Sequence, residues 1–292
     1  LPSTDNRLAV RKTYKLYVGG AFPRSESGRS YVVNDARGAF LANAALASRK
    51  DARDAVVAAR KAWPGWTGKT AYNRGQVVYR IAEMLEGRRS QFVDEVAAGE
   101  GSSRAKAERS VDEAIDRLVW YAGWADKIGQ VVGSTNPVAG PYFDFSVPES
   151  TGVVAVVAPQ DSSLLGLISV VAPAIVTGNT VVVLAAEERP LPAITLGEVL
   201  ATSDLPGGVV NILTGRVAEV APWLAGHMDV NAIDLVGVAD AELGKELELA
   251  AAENLKRVLR VPDKAPDWSA DPGIGRLTAY LETKTVWHPI GI

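Results

Sequence analysis

Between Gly152 and Gly215, three runs of apolar residues are separated by two stretches of helical length. The runs cover residues 152–158, 180–184 and 209–213. They are continuous rather than alternating, so a strand built from any of them needs cover on both faces. Residues 162–176 and 192–202 have the length and apolar spacing of helices. Thr177-Gly178-Asn179 and Pro206-Gly207-Gly208 supply the turns. Crossovers between parallel strands are right-handed in nearly all proteins. The pattern therefore predicts an α/β fold built on a doubly wound, Rossmann-like parallel sheet.

The alternation continues past Gly215. Residues 217–225 read as a helix, 231–236 as a strand, 241–254 as a helix and 256–261 as a strand, five β/α steps in all. Upstream, residues 1–13 read as a loose polar arm, and 14–22 alternates around Gly19-Gly20 as a strand and turn would. Ser48 is placed to cap a helix in which Ala52, Val56, Ala59 and Trp63 recur at helical spacing. Residues 73–88, 91–98 and 104–127 predict three more helices, and together they should form an N-terminal bundle against the sheet. Their charged residues read as a solvated face. Trp63, Trp66, Trp120 and Trp124 read as packing residues rather than a stacking platform. Residues 130–132 and 141–147 predict two extended segments separated by Pro137 and Gly140, the second rich in the β-formers Tyr142, Phe143 and Phe145.

Composition closes off several functions. A net charge of -3 offers no electrostatic case for nucleic acid or an anionic membrane. No apolar run approaches the roughly 18 residues that span a bilayer, and the first residues lack the apolar core of a signal peptide. The absence of cysteine excludes disulfides, thiolate metal sites and thiol nucleophiles together, and fits a cytoplasmic protein. Only two histidines, His227 and His288, are available, which argues against a histidine metal site; both read as surface residues.

Several segments carry a family resemblance. Residues 178–190 resemble the "GNTVVLKPAEETP" segment of the aldehyde dehydrogenase superfamily, 204–215 its "GLPPGVVNVVTG", and 120–127 its "YYAGWADK". Residues 227–245 resemble "HPDVDKIAFTGSTEVGK" with two extra residues at the turn, and 251–257 resemble "AAKNLKR". The family then continues into "LELGGK" and a large catalytic domain. Here residues 262–275 form a short polar connection, and 276–287 resemble the family's C-terminal "LDNYTEVKTVW". The resemblance implies a cofactor-type α/β domain with its helical bundle over 1–129 and 148–262. It also implies a small protruding β oligomerisation element from 130–147 plus 276–288, and a linker at 263–275 in place of the catalytic domain. Tyr142, Phe143, Phe145, Tyr280, Val286 and Trp287 are the interface residues it implies.

The family's functional positions fare worse than its framework. The catalytic thiolate has no counterpart in a chain without cysteine. Arg260-Val261-Pro262-Asp263 stands where the "ELGG" glutamate would be. The oxyanion-donating Asn of the family's Pro-Trp-Asn turn is Asp161, whose carboxylate only accepts hydrogen bonds and repels a developing oxyanion. Asp161 reads instead as a helix cap before Ser162. The family's ribose-binding Lys is Leu184 and its pyrophosphate Ser is Val238, while Glu187 and Gly215 stand where cofactor-contacting residues stand. Each lost hydrogen bond removes about 0.5–3 kcal/mol, or roughly tens- to hundreds-fold in affinity for the pair.

These changes imply a catalytically inactive subunit with no cofactor. Its oligomerisation strands would add to the sheet of a full-length aldehyde dehydrogenase or of a second copy of itself. The alternatives are a stand-alone NAD(P)-binding module using Glu187 and Gly215, and a residual aldehyde oxidoreductase.

Overall fold

The computed structural model describes residues 11–291, so most of the expected polar arm lies outside the described residues. Five parallel strands form the central sheet: β5 (Val153–Val157), β6 (Thr180–Leu184), β7 (Val210–Leu213), β8 (Ala232–Asp234) and β9 (Arg257–Leu259). Their order is β7-β6-β5-β8-β9, with the reversal of winding between β5 and β8. This is the doubly wound sheet that the apolar runs predict.

Both faces of that sheet are covered, and the cover divides by the two-residue period of a strand. Val154, Val156, Val181, Val183, Val210 and Ile212 pack into one cluster. Val153, Ala155, Val157, Val182, Leu184 and Leu213 pack into the other. The first face carries α2 (Ala71–Glu86), α3 (Arg89–Glu100), α4 (Arg104–Trp124), α6 (Leu165–Val176) and α7 (Leu191–Leu200). The second carries α1 (Arg49–Thr67), α8 (Val217–Ala225) and α9 (Ala241–Ala252). Ser48 caps α1 in a capping box with Asp51, as its position suggested. Trp66 is fully buried and its indole N–H donates to the Ile175 carbonyl at 2.8 Å, while Trp63, Trp120 and Trp124 are half-buried.

Helix α6 is buried along its whole length despite Pro173. Proline has no N–H to give the Ser169 carbonyl one turn earlier. The Tyr121 hydroxyl of α4 reaches that carbonyl at 3.4 Å, so bundle and sheet layer are joined at the point where the helix's own bonding fails.

A hairpin absent from the expectations, β1 (Ser30–Asn34) and β2 (Phe40–Ala45), precedes α1. Asp35 makes its turn: the carboxylate accepts from Arg37 N at 2.9 Å and Ala39 N at 2.8 Å. The Asp-Ala-Arg-Gly sequence between two alternating stretches was the available signal.

A second, antiparallel sheet stands apart from the parallel one. It comprises β3 (Ser134–Asn136), β4 (Tyr142–Ser150) and β10 (Leu281–Pro289), in the order β10-β4-β3. β10 pairs with β4 over nine residues, from Leu281 opposite Ser150 to Pro289 opposite Tyr142. One expectation fails here. Residues 130–132 are not extended but belong to α5 (Ile128–Val132), because Gln130 N and Val131 N both bond to the Lys127 carbonyl and Ile128 is buried beneath them. The β preference of Val131-Val132 is weak and yields to that packing.

The connection between β9 and β10 is pinned rather than loose. The Arg117 guanidinium donates to the Trp268 carbonyl at 2.6 Å and the Ala270 carbonyl at 2.9 Å. Trp268 itself packs into the first-face cluster, with Arg276 5.4 Å from its ring centroid. A short helix, α10 (Gly275–Ala279), then delivers Leu277 and Tyr280 into the same core.

Candidate functional site

In an open parallel sheet, ligands bind beyond the carboxyl ends of the strands where the winding reverses. Here that edge is built from Ala158-Pro159-Gln160-Asp161 after β5, Ala185-Ala186-Glu187 after β6, Thr214-Gly215-Arg216 after β7 and Val236-Gly237-Val238 after β8. At Gly237 the strands come so close that a Cβ would lie 1.8 Å from the Ala158 carbonyl oxygen. Only glycine fits there, and the reversal point is closed to its backbone minimum.

The Gln160 side chain crosses the ends of β5 and β6. Its Nε2 donates to the Ala158 carbonyl at 2.7 Å, and its Oε1 accepts from Glu187 N at 2.9 Å. Arg189 clamps the same turn through the Gln160 carbonyl at 2.8 Å. Asp161 is exposed and is not the expected cap; the neighbouring Ser162 Oγ accepts from Gly166 N at 2.9 Å. Asp161 lies three residues before the helix boundary at Leu164, too far for its carboxylate to reach the first helical N–H groups.

Glu187 faces the start of α8. One carboxylate oxygen accepts from Val217 N, the first helical N–H, and the other lies 3.3 Å from Arg216. Arg216 also bonds Glu188 at 3.0 Å and stacks over Tyr31, whose hydroxyl reaches the Glu187 carbonyl at 3.1 Å. The hydrogen bond to Glu188 and the charge of Glu187 push the Arg216 pKa up, and burial pushes the Tyr31 pKa up. Gly215 has φ 151°, and a Cβ there would approach Ala47 N at 3.2 Å.

The same pattern recurs at two other crossovers. Asp240 caps α9 by accepting from Glu242 N at 2.9 Å and Leu243 N at 3.3 Å. Just before α6, Glu100 accepts from Ser163 N at 2.8 Å and from its hydroxyl at 2.7 Å. The N-terminal end of a helix attracts anions. At two of the four crossovers, the starts of α8 and α9, that end is met by a carboxylate of this chain, and Glu100 lies just outside the start of α6. Leu184 and Val238 are buried in the second-face cluster and present only apolar atoms. The edge thus holds acceptors already engaged, and among the described residues no group of three or more His, Asp or Glu could hold a metal ion.

The expected interface residues fall in three places. Directly opposed strand residues share a face. Phe145 lies opposite Val286 and Phe143 opposite His288, so Phe143, Phe145, Val147 and Val286 share one side, with Lys284 paired to Glu149 on it. Tyr142 and Trp287 lie on the other side, edge to face at 5.7 Å. That side also carries the polar chain Asn136 to Asp144 at 2.9 Å, Asn136 to Ser146 at 3.0 Å and Ser146 to Thr285 at 2.9 Å. Phe143 and Trp287 are 48% and 58% exposed, and are therefore available to a partner.

Tyr280 is not an interface residue. It is completely buried, and its hydroxyl donates to Asp234 at 2.9 Å. Its carbonyl accepts from Asn179 Nδ2 at 3.0 Å and Thr151 N at 3.1 Å. Asp234, at the end of β8 and itself fully buried, also pairs with Arg276. Burial drives the Tyr280 pKa well up; burial works against the Arg276 charge, yet Asp234 beside it raises that pKa overall. This triad locks the segment preceding β10 onto the parallel sheet. The sequence offered no motif for it, because its members lie far apart in the chain.

A doubly wound α/β domain with a protruding antiparallel sheet is a Rossmann-like architecture. Residues 22–260 match the aldehyde dehydrogenase family. Retinal dehydrogenase 2 of Gallus gallus is 35% identical over 274 residues, covering 91% of this chain and 52% of that protein. The putative aldehyde dehydrogenase DhaS of Bacillus subtilis is 32% identical over 263 residues, covering 88% and 52%. An NAD+ complex of aldehyde dehydrogenase from Bacillus cereus superposes with a TM-score of 0.80 at 25% identity, covering 85% of this chain and 50% of that one. This chain belongs to the aldehyde dehydrogenase family and spans about half the length of the relatives it matches.

Proposed function

We propose that this chain is a non-catalytic aldehyde-dehydrogenase-like subunit. It docks through its antiparallel sheet onto a full-length aldehyde dehydrogenase and stabilises or regulates it. The observation that carries this is the sheet itself. β10 is held in register with β4 along nine residues, has β4 as its single strand neighbour among the described residues, and lies beside the exposed Phe143 and Val147 of β4. A long open edge beside apolar surface is a template for another strand. Inactivity is supported by the lack of any cysteine and by Asp161 and Arg260-Val261-Pro262-Asp263 at the family's functional positions.

The edge of the parallel sheet supports the same reading. Pyrophosphate binding uses free N–H groups at helix starts, and the starts of α8 and α9 are occupied by Glu187 and Asp240. In this reading the chain holds no NAD(P). The competing reading, an NAD(P)-binding module, is favoured by Glu187 and Gly215 standing at that edge and by a relative solved with NAD+.

Two measurements decide. Native mass spectrometry of the chain purified with a full-length aldehyde dehydrogenase from the same source should give a mixed oligomer. A chain that stays monomeric beside that enzyme ends the proposal. Calorimetry with NAD+ and NADP+ should be silent for the isolated chain, and saturable heat with either would favour the module.

A further inference from the structure

α8 packs against α9 on one flank and α1 on the other. On the α1 flank lies a cavity of about 700 Å³, within the range that accepts a small organic molecule. Its wall includes Arg49, Lys50 and Arg53 from the first turns of α1, Trp223 from the last turn of α8, His227 two residues beyond it, and Glu26. Three cations therefore face one carboxylate.

The groups differ in how far they are already committed. Lys50 pairs with Glu26 at 3.1 Å, and Arg53 with Asp54 at 2.7 Å. Arg49 makes no ion pair among the described residues; its guanidinium lies 4.2 Å from the ring centroid of Trp223, which is 44% exposed. At the start of α1, the Ser48 hydroxyl accepts from Asp51 N and the Asp51 carboxylate from Ser48 N. His227 accepts from Asp229 N on Nδ1 at 3.1 Å, so its Nε2 is the donor of the neutral ring. Burial lowers the His227 pKa, which keeps that ring neutral near pH 7.

We propose that this cavity binds a planar aromatic carboxylate, with the ring stacked along Arg49 and Trp223 and the carboxylate facing Lys50 and Arg53. A guanidinium plane with one face on an indole can stack a second ring on the other. Its charge and that of its neighbours select an anion over a neutral arene. An aliphatic carboxylate would satisfy the charge and forgo the stacking. This is independent of docking and of NAD(P), since the cavity lies on the flank of α8 away from α9.

Salicylate is a suitable probe, titrated into the whole chain while the Trp223 indole N–H is followed by NMR and identified by its loss in Trp223→Ala. The expected result is a saturable shift. Arg49→Ala should weaken binding roughly tenfold, and Lys50→Ala by a smaller factor, with the melting temperature of each variant checked as a folding control. Cyclohexanecarboxylate and benzyl alcohol should each bind about tenfold more weakly than salicylate. The proposal is overturned by no saturable shift up to about 10 mM, by unchanged affinity in folded Arg49→Ala, or by equal affinity for cyclohexanecarboxylate.

Discussion

The carboxyl edge of the parallel sheet and the antiparallel sheet treat their polar groups in opposite ways. At the first, Gln160, Glu187, Asp240 and Glu100 spend their hydrogen-bonding capacity on the chain's own backbone. At the second, β10 bonds one neighbour along its full length and turns its other edge outward. A group already paired inside the protein gains little from a ligand, whereas an open strand edge gains from any partner that supplies a strand. The difference teaches that the region with the more familiar binding architecture is the more self-sufficient one.

The link between the two regions is the sharpest place to break this contrast. Asp234→Ala leaves Arg276 and the Tyr280 hydroxyl without their buried partner. It should cost about 3–5 kcal/mol in urea unfolding, and hydrogen exchange should show β10 opening with it. Asp234→Asn keeps the shape and should cost less. If β10 stays protected in folded Asp234→Ala, the lock is not what holds the strand.

At the edge, Glu187→Ala removes the carboxylate from the start of α8 and should cost about 0.5–2 kcal/mol. Calorimetry with NAD+ should be silent before and after. If the parent binds NAD+ and Glu187→Ala abolishes it, the edge is a working cofactor site and the contrast fails.

A third carboxylate shows what happens when partners are too few. Glu95 accepts from the Tyr14 and Thr195 hydroxyls, both at 2.8 Å, while its second oxygen is buried without a partner. Burial raises its pKa above the ordinary 4.5 in the folded chain. A raised carboxyl pKa means that the folded state holds the proton more tightly than the unfolded state. Stability from this group is therefore greatest below about 4.5 and is lost as pH rises through the folded value. Glu95→Gln should flatten that part of the stability-against-pH curve and gain on the order of 1 kcal/mol at pH 7; an unchanged pH slope would remove Glu95 from the account.

The smallest effect on stability should come from the exposed side of the antiparallel sheet. Phe143→Ser and Val147→Ser should move the unfolding midpoint of the isolated chain by no more than about 0.5 kcal/mol each. Co-purification with a full-length aldehyde dehydrogenase should be lost in the double variant, and retention would show that this side is not the docking surface.

Much of the fold was legible because periodicity reports burial directly. Residues 152–158, 180–184 and 209–213 are apolar but for Thr180 and Asn211, and each forms a strand covered on both faces. Helix 217–225 matches α8 to the residue. The failures share a cause. Residues 130–132 look like a strand but close a helical turn over buried Ile128. Tyr280 sits at the start of a strand-like segment, yet it points at Asp234, 46 residues away. Gln160 gave no signal beyond being polar in a turn, and His227 looked like a loop residue although it borders a cavity with Trp223.

Sequence by itself determined the layer order, the turns, the lack of a thiol and the family, because these depend on residue type and short-range spacing. Tertiary structure alone decided that the carboxyl edge is filled by its own side chains, that a buried ion pair fastens β10 in place, and that β4 is the strand that β10 pairs with. Each of those depends on groups that are distant along the chain and adjacent in space, and a linear pattern carries no distance between them.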